Sequence, residues 1–157
     1  YAHGNEPSHH VAYLYPYAGQ QWKTAEKVRY IDREFYTDSP DGIIGNEDCG
    51  QMSAWYIMSA MGFYQVNPSN CVFVFGSPLF PSLTLRLENG RSFTVTAEGN
   101  SDTNIYIQSA TLNGQPYEKS YITYDDIMSG GELHFVMGDE PNKSFGAAPE
   151  SRPVSAQ

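Results

Sequence analysis

The stretch over residues 50–63 leaves this chain the least freedom. Met52, Ala54, Trp55, Tyr56, Ile57, Met58, Ala60, Met61 and Phe63 are apolar almost all round a helix. A helix of that kind is buried on every side. Two helical neighbours cannot enclose it, so the pattern calls for further helices in a larger parent protein. One neighbour is predicted over residues 21–36. There Trp22, Ala25, Val28, Ile31 and Phe35 recur at spacings of three and four and form one apolar face. Lys23, Glu26, Lys27, Arg29, Asp32, Arg33 and Glu34 fill the opposite, solvated side. A first helix is expected after Pro7-Ser8 and through Tyr15, limited by Pro16 and Gly19.

Near residue 66 the pattern turns from helical to extended. Strands are predicted over residues 71–75, 82–87, 92–97, 105–112, 121–124 and 132–136. Leu83, Leu85 and Leu87 alternate with Thr84 and Arg86, and Phe93 and Val95 alternate with Thr94 and Thr96. Asn89-Gly90 and Asn113-Gly114 read as hairpin turns, because Asn-Gly tolerates two positive φ angles. The expectation is therefore an α+β chain. Residues 1–66 form a helical segment that carries the site loops, residues 67–146 an antiparallel β segment with one buried face, and residues 147–157 a loose tail.

Charge and cysteine content exclude some functions. A net charge of −9 with no basic stripe argues against a nucleic-acid partner. No run approaches the roughly 18 apolar residues that span a bilayer. Cys49 and Cys71 are too few for a disulfide framework; they are read as two mostly buried thiols, with one bridge as the alternative. The opening Tyr1-Ala2-His3, without Met or a leader, suits a processed or proteolytic piece.

Two polar clusters precede predicted helices, where loops on a rigid scaffold place binding and catalytic groups. In the second, Gly42-Ile43-Ile44-Gly45-Asn46-Glu47-Asp48-Cys49-Gly50-Gln51, two adjacent carboxylates sit at the mouth of the apolar helix. Its N-terminus favours negative charge, and an ionised carboxylate can act as general base on water. The competing reading is that Glu47 or Asp48 only caps the helix. In the first cluster, His3-Gly4-Asn5-Glu6-Pro7-Ser8-His9-His10, Asn5 and Glu6 offer hard oxygens suited to Ca²⁺. His9 and His10 would point about 100° apart in a helix, so a shared zinc is disfavoured and packing is the plainer role.

Asn5-Glu6-Pro7-Ser8, Tyr13-Leu14-Tyr15 and Tyr17-Ala18-Gly19 resemble glycoside hydrolase family 92. So does the run from Asp41-Gly42-Ile43-Ile44 through Asn46-Glu47-Asp48-Cys49-Gly50-Gln51-Met52-Ser53-Ala54-Trp55-Tyr56 to Gly62-Phe63-Tyr64. Gly76-Ser77-Pro78, Tyr106-Ile107-Gln108-Ser109-Ala110 and Leu112-Asn113-Gly114 extend the resemblance to about residue 145; Gln65 departs from the usual Pro. The resemblance implies the C-terminal helices of an (α/α)6 toroid followed by a β segment. It implies part of an inverting, Ca²⁺-dependent exo-α-mannosidase, best matched to α-1,2 linkages, that removes terminal mannose from glycans. Members are mostly bacterial and exported. By the same resemblance Asp48 is the general base with Glu47 in support, and Asn5 and Glu6 belong to the calcium shell. His3, Glu6, Asn46 and Trp55 would line the substrate. The general acid lies upstream of Tyr1, so the chain alone is expected to be inactive and to need the rest of its enzyme. The alternatives are a non-catalytic carbohydrate- or calcium-binding module and a hydrolase that uses His9 and His10 with a transition metal.

Overall fold

The computed structural model describes residues 1–154. Three 3₁₀ turns open the chain, at Glu6–Ser8, Val11–Tyr13 and Tyr15–Ala18. They replace the single helix expected there. Pro7 and Pro16 each occupy the first turn of a segment. Pro16 has no N–H to continue a ladder from the turn before it, and the bonds that form are i→i−3, such as Tyr13 N to His10 O at 3.0 Å. Gly19, at φ 72°, closes the segment in the left-handed region.

Helices α1 (Gln21–Glu34) and α2 (Gln51–Met61) lie where their periodicity put them. Each differs from expectation on one face. In α1, Arg29 and Asp32 are buried rather than solvated. Arg29 donates to Ser77 Oγ at 3.0 Å, to Ser101 O at 3.3 Å, and to Pro78 O and Asn100 Oδ1, tying α1 to the loops of the β region. Asp32 is buried with both carboxyl oxygens unpartnered. Burial raises its pKa to about 8, and Arg29 opposes that rise. In α2, Met52, Trp55, Ser59, Ala60 and Met61 are buried, but Ser53, Ala54 and Ile57 face outward, with Ile57 56% exposed.

Strands β1 (Phe63–Tyr64), β2 (Val72–Phe75) and β7 (Tyr121–Thr123) make a small antiparallel sheet in the order β1-β2-β7. Strands β3 (Ser82–Arg86), β4 (Ser92–Glu98), β5 (Tyr106–Leu112), β6 (Gln115–Pro116) and β8 (Gly131–Gly138) make the larger one, in the order β3-β4-β8-β5-β6. This sheet is mixed, not purely antiparallel, because β8 runs parallel to β4, pairing Thr96 with His134. Hairpin turns fix the sense of chain-adjacent strands only, and β8 enters through a long connection. At Asn113-Gly114 both residues have positive φ (52° and 76°), as a type I′ turn requires. At the other turn only Gly90 is left-handed, and Gly90 N and Leu87 N bond to Leu87 O and Arg91 O, a three-residue loop with a bulge. A further short helix, α3 (Tyr124–Met128), follows a capping box between Thr123 and Asp126.

Two hydrophobic cores result. One gathers Phe93, Val95, Ile107, Leu133 and Phe135 of the large sheet with Met61, Phe63, Phe75 and Ile122. The other gathers Tyr13, Val28, Ile31 and Trp55 with Val72, Val74 and Tyr121. Alternation along β2 sends Val72 and Val74 to the helical core while Phe73 and Phe75 meet the sheet core. Both cores therefore draw on residues from either side of position 66.

The tail is not loose where it is described. Pro149–Ser151 is a 3₁₀ turn, and buried Ser151 accepts from Ser120 N at 2.8 Å and Ser120 Oγ at 3.1 Å. These are main-chain anchors, which leave no side-chain periodicity to read. Residues 155–157 lie outside the described residues. Cys49 and Cys71 are unpaired and exposed, which removes both the bridge and the burial expected for them. Among the described residues no helix is long and apolar enough to cross a membrane.

Candidate functional site

The two polar clusters meet. A Cβ on Gly4 would lie 3.1 Å from Ile44 O, and one on Gly45 would lie 2.9 Å from Gly4 O. Gly45 also has φ 79°, so the contact needs glycine on grounds of space and of backbone conformation. Backbone thus packs on backbone between the loops, and this approach brings Glu6 beside Asp48.

The two carboxyls are near enough that each shifts the other's proton affinity. Asp48 is pushed up, first by hydrogen bonding to Glu6 and by the Glu6 charge, then by burial and by Glu47. Glu6 is held down by its own backbone N–H, then by the bond to Asp48 and by His9, against an opposing effect of burial. Like carboxyls in one site separate in this way. Glu6 Oε1 is shielded from solvent and receives no N–H or hydroxyl donor.

Asp48, Cys49 and Gly50 lie consecutively in the left-handed region, at φ 48°, 59° and 88°. For a non-glycine residue that conformation costs about 1–2 kcal/mol. The turn carries the exposed Asp48 side chain off the helix mouth. Gly50 is the N-cap, and Glu47 supplies the acceptors from the loop before it: its Oε1 accepts from Ser53 N at 3.2 Å and its carbonyl from Met52 N at 3.3 Å. The alternative left open by the sequence is therefore resolved differently for the two acids, with the Glu47 side chain serving the first turn of α2 and that of Asp48 free of that role.

His3 and Trp55 do not line a surface. Both are buried, at 1% and 0% exposure, inside an aromatic cluster under the loops. The His3 ring stacks on His9 with centroids 4.7 Å apart and meets Trp55 edge-on at 4.4 Å. Tyr36 donates its hydroxyl hydrogen to Met52 O at 3.1 Å. His3 Nε2, 2.7 Å from that hydroxyl, must then donate, and Nδ1 accepts from Tyr1 at 2.8 Å. The ring is neutral, and burial, followed by His9, lowers its pKa to about 4. Expected as substrate contacts, these two residues form the floor of the site: burial in an aromatic cluster gives no signal of its own in sequence.

Asn5 is exposed in extended backbone, and its carbonyl accepts from Ser8 N and Ser8 Oγ. Asn46 is exposed. Both ring nitrogens of His9 are engaged, Nε2 with His3 O at 2.9 Å and Nδ1 with Gln51 Nε2 at 3.1 Å, while His10 is exposed. Among the described residues, no three His, Cys, Asp or Glu side chains gather as a metal site. Gln51 was not singled out by sequence. Its place between a loop histidine and the first turn of a helix left only its position beside the acidic pair as a signal.

The comparisons with known proteins agree on one assignment. The glycosyl hydrolase family 92 catalytic domain matches residues 1–139. A family GH92 alpha-mannosidase of Bacteroides thetaiotaomicron is 46% identical, with a TM-score of 0.94 over 98% of this chain and 21% of its own. A family GH92 inverting mannosidase of the same organism is 45% identical, with a TM-score of 0.93 over 99% of this chain and 21% of its own. An uncharacterized secreted glycosidase of Arthroderma benhamiae is 32% identical over 97% of this chain and 20% of its own length. The chain spans about a fifth of the length of these relatives. With its paired acidic loops set on the first turn of a buried helix, the chain belongs to glycosyl hydrolase family 92 and carries part of that family's catalytic domain.

Proposed function

We propose that this chain supplies the water-activating side of an inverting, calcium-dependent exo-α-mannosidase that releases terminal mannose from glycans and acts outside the cytoplasm. The meeting of Glu6 and Asp48, from two loops, at an open surface carries the reading. One solved relative is described as an alpha-mannosidase and another as an inverting mannosidase, which supports the substrate and the stereochemistry. The relative described as secreted supports export.

Spacing assigns the roles. An inverting glycosidase needs an acid and a base about 6.5–9.5 Å apart, and a retaining one about 5–5.5 Å. Glu6 and Asp48 act on each other as direct neighbours, with no room for a sugar between them, so they are not read as an acid–base pair with each other. Asp48, free of the helix cap, is the general base. Glu47 holds its loop, and the general acid comes from a part of the enzyme outside this chain. Asn46 faces the substrate.

The donors fit a calcium ion. Glu6 Oε1 is an orphaned, shielded carboxylate oxygen, Asn5 adds an exposed amide, and both are the hard oxygens Ca²⁺ selects. Glu6 and Asn5 would hold the ion, with further ligands from outside the chain or from solvent. When bound, calcium supplies positive charge for sugar hydroxyls and for the neighbouring carboxylates. Asp48 keeps its part: accepting the proton of the attacking water at a carboxylate oxygen.

The test uses the complete family 92 enzyme that contains these residues. Asp48→Ala should lower kcat on an aryl α-mannoside by about 10²–10⁴-fold, the usual worth of general-base assistance. Turnover equal to that of the unsubstituted enzyme would remove Asp48 from the reaction. The 157-residue chain alone should give no turnover, since it holds one of the two required carboxyl roles.

A further inference from the structure

Glu6 and Asp48 lie on separate loops, and something must hold those loops in register. The glycine contact at Gly4 and Gly45 sets how closely they approach, but main-chain packing alone leaves the loops free to slide. Of the side chains that tie them together, one stands at the turn that bears Asp48. Gln51 is the first residue of α2, three positions after Asp48, and its backbone N–H bonds to Asp48 O at 3.3 Å. Its side-chain Nε2 donates one hydrogen to His9 Nδ1 at 3.1 Å and the other to the Tyr64 hydroxyl at 3.3 Å. His9 closes the turn that carries Glu6, its backbone N–H bonding to Glu6 O at 3.0 Å. The path from one carboxyl to the other therefore runs Glu6, His9, Gln51, Asp48.

The donors along this path permit one arrangement. His9 Nε2 faces a carbonyl, His3 O, and must donate. Nδ1 is then the acceptor that the Gln51 amide needs. The carbonyl of His9 accepts from Trp55 Nε1 at 3.0 Å, so α2 grips the His9 residue at its backbone as well as its ring. His9 and Trp55 are buried, whereas Gln51 is half-buried at the edge of the open site.

We propose that Gln51 is a positioning residue: its side-chain amide, bridging His9 and Tyr64, sets the placement of Glu6 against Asp48. This rests on the reading of Asp48 as general base. Gln51 touches neither substrate nor the reacting atoms in this assignment and acts through His9. A glutamine suits the task because one amide nitrogen can serve two acceptors. Methionine matches its length and volume but supplies no donor, and so separates packing from hydrogen bonding.

Two measurements decide the matter. In the complete family 92 enzyme, Gln51→Met should lower kcat for an aryl α-mannoside about 10-fold, the scale of losing a group that orients an active-site ligand, with KM little changed. Combined with His9→Phe, the loss should be smaller than the sum of the two single losses, because the two substitutions share one bond. In the 157-residue chain, Gln51→Met should speed hydrogen exchange at the Trp55 indole and blur the single His9 tautomer seen by ¹⁵N NMR, leaving the Trp22 indole unaffected. Turnover by Gln51→Met equal to the unsubstituted enzyme overturns the proposal. So does a loss of turnover with Trp55 exchange and the His9 tautomer unchanged, or one in which exchange rises at both tryptophans together. Failure of the base reading shows separately, as full activity in Asp48→Ala.

Discussion

The helical and β regions of this chain follow different rules. In the two central strands of the large sheet burial alternates: β4 shows Phe93, Val95 and Ala97 inside with Ser92, Thr94 and Thr96 outward, and β8 repeats it with Leu133, Phe135 and Met137. The helical region buries His3, His9, Gln21, Thr24, Arg29, Asp32 and Ser59 and leaves Tyr1, Val11, Leu14, Tyr30, Ile44 and Ile57 exposed. Its backbone strain is concentrated at Asp48 and Cys49. The region that carries the candidate chemistry thus buries ionisable side chains, whereas the buried polar residues described in the β region are serines and its left-handed Cys71 and Asn113 lie in turns outside the strands. Stability and site geometry are spread over different residues.

The comparison breaks if the sheet core proves dispensable. Phe135 is fully buried and meets Phe75 edge-on with centroids 5.0 Å apart. Phe135→Ala should cost about 3–5 kcal/mol in denaturant unfolding; a loss similar to that of an exposed substitution would show that the sheet is not the main source of stability.

The buried acid gives the next effect. Asp32 has its pKa raised from 3.8 to about 8, so folding disfavours its charged form. Its contribution is complete below pH 4 and is lost as pH rises toward about 8, at up to about 1.4 kcal/mol per unit. His3, lowered from 6.5 to about 4, acts the other way: its neutral form is favoured, and stability falls as pH drops from 6.5 toward 4. Between about pH 6.5 and 8 only the Asp32 slope remains of the two. Asp32→Asn should flatten the unfolding free energy across that interval; an unchanged slope would mean that Asp32 finds a partner for its charge.

Smaller effects sharpen the contrast. Thr123→Ala removes the α3 capping box, in which Thr123 Oγ1 accepts from Asp126 N at 3.2 Å, and should cost about 1 kcal/mol by thermal unfolding. Asp48→Gly should shift stability the other way by about 1 kcal/mol, by relieving a left-handed residue. Destabilisation there would mean that the Asp48 side chain supports the fold.

Helices α1 and α2 and the long strands were legible because apolar spacing survives in sequence whatever the neighbours do. The opening 3₁₀ turns were not, since Ser8 through Tyr15 offers a helical composition and only the two prolines argue against it. Arg29 and Asp32 sit at polar positions of α1, and Arg29 is covered by loops more than forty residues away in sequence, at Ser77 and Asn100. The parallel pairing of β8 leaves no mark in its own residues. At the site, the loops and the acids were readable, largely through resemblance. Which acid's side chain serves the helix end was not, because that depends on the positive φ at Asp48 and Cys49, and neither residue type announces it. The missed α3 did carry a signal, the Thr123–Asp126 spacing.

The small sheet β1-β2-β7 has no free side, since β2 feeds one core with its valines and the other with its phenylalanines. Sliding that strand by a single residue would swap the two sets and spoil both interiors at once. The middle of the molecule therefore works as a shared keel: the acidic loops cannot melt away through β2 without the distant sheet losing its seating as well, and denaturation should proceed as one event.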